Sequence, residues 1–405
     1  MHRIATGESE FDAAFSLDGA TMHLVHGRDS IVGMQRVLAD LSARCGQTGV
    51  MDDAAYFLSK PGALKRVPHL LLVSKTAQLD WNQVIADDLI GAVLLYKYAV
   101  LGLGIGAFTT NDRSGRGTLV APAALRLELA ERVSKQLIEA GAWAVMISFC
   151  EEVSAGMNPS TQHNSLLDHS SGGDKIARWA RREREIPGYL PLEKTYDATL
   201  ARIGQRTRSN LRYYRRRAEN QLGCTFVPAV TMEKTEFLAF NRDSMYAVSD
   251  TVAGWKFDSL KDVGEPLFMG IKDRDGRWLS LLGGRRRHDG TEILWQFNRD
   301  GLEVYSLSLV MRSYFIEHEI AHGMQRLYIE GGTPHPMRFS FVKQKVTDLV
   351  FLRKTRLSSI IRSIAKHVIK QDNDLAQMLL DPTLYESSTT RRISSAEPQA
   401  DSIRH

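Results

Sequence analysis

The sequence predicts an α/β protein made of two similarly built units. Three observations carry this expectation. Strand-like and helix-like stretches alternate along most of the 405 residues. The order strand, loop, helix, glycine, strand occurs twice, and setting Gly141 over Gly323 superposes the two occurrences at an offset of 182 residues. A stretch rich in Asn, Ser, Gly and Asp, Glu151 to Lys175, separates them. The copies share no obvious residue identity, so the repeat is one of architecture.

In the first half, Met22–His26 reads as a strand, and Ser30–Cys45 carries helical spacing at Ile31, Met34, Val37, Leu38 and Leu41 before Gly46. Apolar runs follow at His69–Ser74, Leu89–Tyr98 and Val100–Phe108. Pro122 stands where helix starts tolerate proline, and the next helix aligns Leu125, Leu129, Val133 and Leu137 up to Gly141. Trp143–Phe149 is a further strand. In the second half, residues 196–221 read as helical and Thr225–Val230 as a short strand. Leu267–Ile271, Trp278–Leu282 and Ile293–Phe297 form a meander with turns at Asp275-Gly276 and Asp289-Gly290. A loop from Asn298 to Val304 opens a helix from Tyr305 to His322, and Leu327–Glu330 is the strand after it.

The expected domains are residues 1–175, 176–350, a helical extension over 351–386 and a disordered polar tail over 387–405. The extension continues a basic, apolar-interleaved stretch, Val342–Lys370, expected to be an amphipathic helix. It either packs on the second unit or rests peripherally on an anionic membrane.

Composition excludes several classes. With 43% apolar and 24% charged residues the chain is neither disordered nor fibrous, and a net charge of +5 does not by itself mark a nucleic-acid binder. Three dispersed cysteines, Cys45, Cys150 and Cys224, exclude a disulfide scaffold and suit a reducing compartment. The acids of the first ten residues do not suit a signal peptide. The apolar run Leu89–Asn111 contains four glycines and Lys97, which fits two buried strands better than a membrane span. A cytoplasmic protein is expected.

A strand that runs through a loop into a helix aims unpaired backbone N–H groups at one point, where the helix dipole adds positive charge; a phosphate is the natural ligand. The first such loop is Asp112–Gly117, where Gly115 and Gly117 permit close backbone approach and Arg113 and Arg116 supply charge. The second, Asn298–Ser308, has a single glycine but offers Ser306 and Ser308 at the helix start. Turn and cap duties are the competing explanation for both.

With these elements in place, the sequence resembles the GNAT acyl-CoA N-acyltransferases, and its tandem form resembles the Fem-type and cellulose-synthesis-type enzymes. The resemblance is carried by Tyr196-Asp-Ala-Thr-Leu, by Thr207–Arg217 before the Thr225 strand, and by Ser306 through Gly323 to Tyr328-Ile-Glu-Gly-Gly332. It implies acyl-CoA (acetyl-CoA) as co-substrate and an amine-bearing acceptor. It also implies a backbone oxyanion donor near Phe297 and Asn298. Glu330, Tyr328 and His335 are the candidates to move protons. Asp112 and the glycine-poor second loop depart from the family's loop pattern, which keeps a ligand-binding scaffold without turnover as the alternative.

Residues 175–217 hold 13 Lys/Arg against 4 Asp/Glu. Arg208, Arg212 and Arg215 share one helical face, read either as a solvated face or as a site for an anionic substrate. Nucleic acid is the least favoured partner. His318-Glu-Ile-Ala-His322 is a literal H-E-x-x-H. Gly323 ends the helix at once and Gln325 stands where the longer zincin pattern needs glycine. No metal is therefore expected, with a zinc metalloprotease as the lesser alternative.

Overall fold

The computed structural model describes residues 15–17, 20–47, 50–60, 66–81, 83–100, 103–110, 117–151, 176–287, 290–329 and 341–353. Their elements run in chain order as follows. The chain opens with β1 (Phe15–Leu17) and β2 (Ala20–His26), then α1 (Arg28–Gly33), α2 (Gln35–Arg44) and α3 (Ala54–Ser59). Next come β3 (Val67–Ser74), β4 (Leu89–Val100), β5 (Leu103–Thr109), β6 (Leu119–Val120), α4 (Arg126–Glu139) and β7 (Ala144–Glu151). The second half holds β8 (Ile176–Pro191), α5 (Tyr196–Arg202), α6 (Gln205–Leu222), β9 (Thr225–Val227), α7 (Lys234–Arg242) and α8 (Asp250–Asp258). It closes with β10 (Glu265–Lys272), β11 (Trp278–Arg286), β12 (Gly290–Asn298), α9 (Leu307–Ala321), β13 (Arg326–Ile329) and β14 (Val342–Arg353).

The chain divides into two units, neither continuous in sequence. The first takes Met1–Ile31, Arg66–Arg184 and Lys345–His405; the second takes Val32–Lys65 and Glu185–Gln344.

In the first unit the strand order is β1-β2-β3-β4-β5-β7-β14, antiparallel except for β5 against β7. The crossover between that parallel pair is α4, whose Leu129, Val133 and Leu137 pack on Val93, Val145, Ile147 and Leu349. Their four-residue spacing puts them on one helix face, and each buried leucine contributes about 1.5–3 kcal/mol. Asp348 is fully buried, accepting from Ser148 Oγ (2.7 Å), Arg182 Nη2 (2.7 Å) and Arg184 Nε (2.9 Å).

The expected helix over Val342–Lys370 is corrected at its start, because residues 342–353 are β14. Its residues 346–352 are all buried, so both faces of the strand are covered. Such a strand shows no alternation, and a short apolar run without alternation cannot be told from a buried helix by periodicity. The rest of that segment, with the 387–405 tail, lies outside the described residues. Among the described residues no helix is long and apolar enough to cross a membrane, and Leu89–Val100 and Leu103–Thr109 are strands.

The first unit also holds a pH-sensitive group. His69 is buried on β3 beside Phe108 and His26. Burial, followed by the nearby charges of His26 and Lys97, pushes its pKa down to about 4 even though the Val67 carbonyl favours the charged ring. The unfolded chain therefore takes up a proton near pH 6.5 that the folded unit refuses until about pH 4. Stability should fall by about 3 kcal/mol across that window and be flat above it. Urea melts of wild type and His69→Gln between pH 4 and 7.5 check this; the variant should lose most of the slope.

The second unit repeats the plan with strand order β9-β10-β11-β12-β13-β8, again antiparallel except for β12 against β13. Here α9 is the crossover. One sheet face carries α5, α6 and α9, with Leu211, Val310 and Phe315 packed on Met269, Leu282 and Ile293. The other carries aromatic rings, Phe237 of α7 meeting Phe268, Trp295 and Phe297 at 5.2–6.1 Å. Where one helix was expected over 196–221 there are two, since Ile203 and Gly204 leave the helical region.

Candidate functional site

The two strand-to-helix connections differ. In the first unit, Gly117 is not at a helix start. It bridges Phe149 of β7, then β6 pairs with β4, and a 3-10 turn, Ala123–Leu125, precedes α4. The segment from Gly117 thus returns to the sheet before α4 begins. The glycine at 117 answers to packing: its φ is +80°, and a Cβ there would sit 1.8 Å from the Ser148 carbonyl oxygen. Arg113, Gly115 and Arg116 lie outside the described residues. The start of α4 is itself covered by Arg126, whose guanidinium donates to the carbonyls of Ala121 (2.9 Å) and Cys150 (2.8 Å).

In the second unit the connection is direct. β12 ends at Asn298, residues 299–306 turn, and α9 begins at Leu307. Ser306 caps the turn at φ 48° and ψ 53°, the sole non-glycine residue with positive φ among the described residues. A serine held there costs of order 1–3 kcal/mol, and such strain gathers at ligand sites. Leu309 and Val310 return their N–H groups to the Ser306 carbonyl at 2.8 and 3.2 Å. The N–H groups of Leu307 and Ser308 come earlier, in the first turn, where a helix has no acceptors of its own.

The loop is anchored from three sides. Arg299 Nε donates to the Trp278 carbonyl at 2.8 Å, and Asp300 N–H to the Asp243 carbonyl at 3.0 Å. Arg217 of α6 donates to the Val304 carbonyl at 3.0 Å and lies over the Tyr305 ring at 5.1 Å. Sequence reasoning passed over Arg217, because the face it selected was that of Arg208, Arg212 and Arg215.

That face is divided among other tasks. Arg212 pairs with Asp197 at 2.7 Å on the surface. Arg215 is held by Glu219 (3.0 Å) and Glu317 (2.7 Å) and lies 4.1 Å from the Tyr314 ring centre. Burial and then the Glu219 carboxylate push the Tyr314 hydroxyl well above the usual tyrosine range, and that hydroxyl donates to Glu219 at 2.6 Å. Arg208 is half-buried on α6.

Strand alternation sorts the remaining candidates. Ser280, Gln296 and Asn298 lie on the face that α9 covers, since Gln296 pairs with Leu282 and Asn298 with Ser280. Asn298 Oδ1 accepts from Ser280 Oγ (2.8 Å) and Gln296 Nε2 (2.9 Å). Gln296 Oε1 is buried and has no donor among the described residues. Tyr328 is on the opposite face, paired with Glu292 and lying 5.5 Å from the Arg287 guanidinium. Glu330 and His335 lie outside the described residues.

Arg312 is a residue the sequence did not single out. It is one turn beyond Ser308 on α9 and 8% exposed, and neither its Nε nor its Nη1 has an acceptor among the described residues. Burial alone lowers its pKa to about 10. The sequence signal was available, as an arginine inside the apolar run Leu309–Ile316.

The H-E-x-x-H residues stand near the end of the same helix. Ligand atoms of His318, Glu319 and His322 lie within 4.8 Å of one another. Glu319 is fully buried, and both its oxygens accept from Arg286, at 2.8 and 2.9 Å. His322 Nδ1 is engaged with the His318 carbonyl at 2.8 Å. A carboxylate chelated by a guanidinium is not poised as a general base.

An antiparallel meander, a direct strand-to-helix loop, a crossover helix and a parallel return strand define the GNAT fold, and this chain is its tandem form. Its fold is that of the crystal structure of FemX, with TM-score 0.50 and 10% identity over 84% of this chain and 99% of that one. The tandem GNAT protein from the clavulanic acid biosynthesis pathway aligns with TM-score 0.41 and 11% identity, over 81% of this chain and 98% of its own. The C-terminal domain of a putative lysylphosphatidylglycerol synthetase from Agrobacterium fabrum aligns with TM-score 0.43 and 10% identity, over 86% and 99%. No family model and no curated protein matches the sequence.

Proposed function

We propose that the second unit is an acyltransferase that moves an acyl group from acyl-CoA to an amine. The observation that supports this most is the direct passage from β12 through the strained Ser306 into α9. The first-turn donors of α9 suit the donor's pyrophosphate, and Asn298 and Ser308 stand at the two ends of the connection between β12 and α9. In the reaction the free amine attacks the thioester carbonyl, the C–N bond forms and the C–S bond breaks. The proton shed by nitrogen ends on the departing thiolate as CoA thiol. Glu330 and His335 are the groups proposed to carry it, and Arg208 is proposed to face an anionic acceptor; Tyr328, on the other sheet face, and Arg212, paired with Asp197, have no part in this proposal.

Ser308→Asp separates binding from folding. A carboxylate in the first turn complements the helix dipole, so stability should hold or rise by about 0.5 kcal/mol. The same charge repels a pyrophosphate, so calorimetric CoA affinity should fall about tenfold or more. Unchanged affinity would remove this loop as the donor site. Binding of acetyl-CoA without thiol release against any amine would mark a scaffold without turnover.

A further inference from the structure

Among its described residues the second unit leaves complementary buried polar atoms unmatched. Arg312 Nε and Nη1 have no acceptor, and Gln296 Oε1 has no donor, among the described residues. A buried cation without a counter-charge is costly, as is an unmet carbonyl.

Their heights along the sheet agree. The Glu319–Arg286 pair fixes α9 against β11, and Arg286 is in register with Thr291 of β12. From there Gln296, which pairs with Leu282 four residues along β11 from Arg286, stands about 13 Å up the sheet at 3.3 Å per residue. Ser308 stands eleven residues up the helix, about 16 Å at 1.5 Å per residue. Arg312 starts one turn lower, at about 10 Å, and helical side chains lean toward the N-terminus, which brings its guanidinium to the level of Gln296. Ser308, Arg312, Ile316 and Glu319 lie on one side of α9, the side Glu319 ties to the sheet. Gln296 is on the sheet face that α9 covers.

We propose that Arg312 and Gln296 form a subsite for an amine that also bears a carboxylate, an amino-acid-like acceptor. The planar guanidinium receives the carboxylate, and Gln296 Oε1 accepts a hydrogen bond from the amine nitrogen. The subsite lies about a turn deeper than the first-turn donors assigned to the pyrophosphate, which favours a substrate carboxylate over a donor phosphate. This assignment rests on the acyltransferase function proposed above.

Full-length protein and two variants test it, by thermal unfolding with glycine, acetate, methylamine or inorganic phosphate as probes. Arg312→Met keeps the stem and removes a charge that has no counter-charge among the described residues, so without ligand it should melt about 2–4 °C higher than wild type. Glycine should stabilise wild type more than acetate does, methylamine should not, and Arg312→Met should abolish both shifts. Gln296→Leu should reduce the glycine shift to that of acetate. With acetyl-CoA, wild type should prefer glycine to methylamine about a hundredfold in kcat/KM, and Arg312→Met should erase that preference. The proposal is overturned if Arg312→Met melts lower, if no carboxylate gives an Arg312-dependent shift, or if phosphate alone gives one. Arg312-dependent glycine binding without thiol release would keep the subsite and remove the acyltransferase.

Discussion

Replacing Arg285 with Met is expected to destabilise the second unit by about 3–5 kcal/mol. Arg285 is fully buried on β11. Its guanidinium donates to Glu292 Oε2 through Nε (3.0 Å) and Nη2 (2.8 Å), and through Nη1 to Asp53. Asp53 precedes α3, and its other oxygen accepts from the Gly264 N–H at 3.1 Å. The guanidinium also lies 5.2 Å from the Phe57 ring centre. One cation therefore joins α3, the start of β10 and two strands of the meander. Removing it leaves Asp53 buried with a single backbone donor, while Glu292 retains Arg287. Urea denaturation of Arg285→Met should show the loss, and adding Asp53→Asn should recover at least half of it by removing the stranded charge. A double variant no more stable than the single would mean that the cost arises from lost packing.

Gly117→Val is expected to abolish cooperative folding of the first unit, a loss above about 4 kcal/mol. Two independent penalties act together. A left-handed φ of +80° disfavours a β-branched residue, and the new Cβ would overlap the Ser148 carbonyl oxygen at 1.8 Å and its carbon at 2.4 Å. Backbone on β7, paired with β5 on one side and β14 on the other, cannot yield as a flexible side chain would. Moving it would also break the Ser148 Oγ bond to Asp348, the carboxylate that gathers Arg182 and Arg184. Near-ultraviolet circular dichroism and soluble yield report the outcome. A folded Gly117→Val protein would show that residues 117–118 are free to detach from the sheet.

Much of the plan was legible from local chemistry. Pro122, Leu129, Val133 and Leu137 mark α4 because a helix with one buried stripe must repeat every three to four residues. Asp275-Gly276 marks the β10–β11 hairpin, with Gly276 at φ +79°. The duplicated order of strand, helix and parallel return strand needed only such periodicities and the glycines that end helices. The loop after β12 and its two serines were readable for the same reason, since a strand ending and a helix starting are both local events.

What tertiary structure alone decided was which residues meet across the chain and from which face. Tyr328 and Gln296 belong to the adjoining strands β13 and β12, yet the register puts one beside Arg287 and the other beneath α9, and a shift of one residue would exchange them. The glycine at 117 looked suited to a ligand because glycine always permits close approach; here what approaches is the backbone of β7, across more than thirty residues of sequence. Residues 342–353 became a strand because both their faces were covered by distant segments, a condition that no local pattern encodes. Arg312 shows the same limit: an arginine inside an apolar stripe was visible from the start, but whether it meets a carboxylate of its own chain depends on what the fold brings opposite it. Among the described residues the fold brings none.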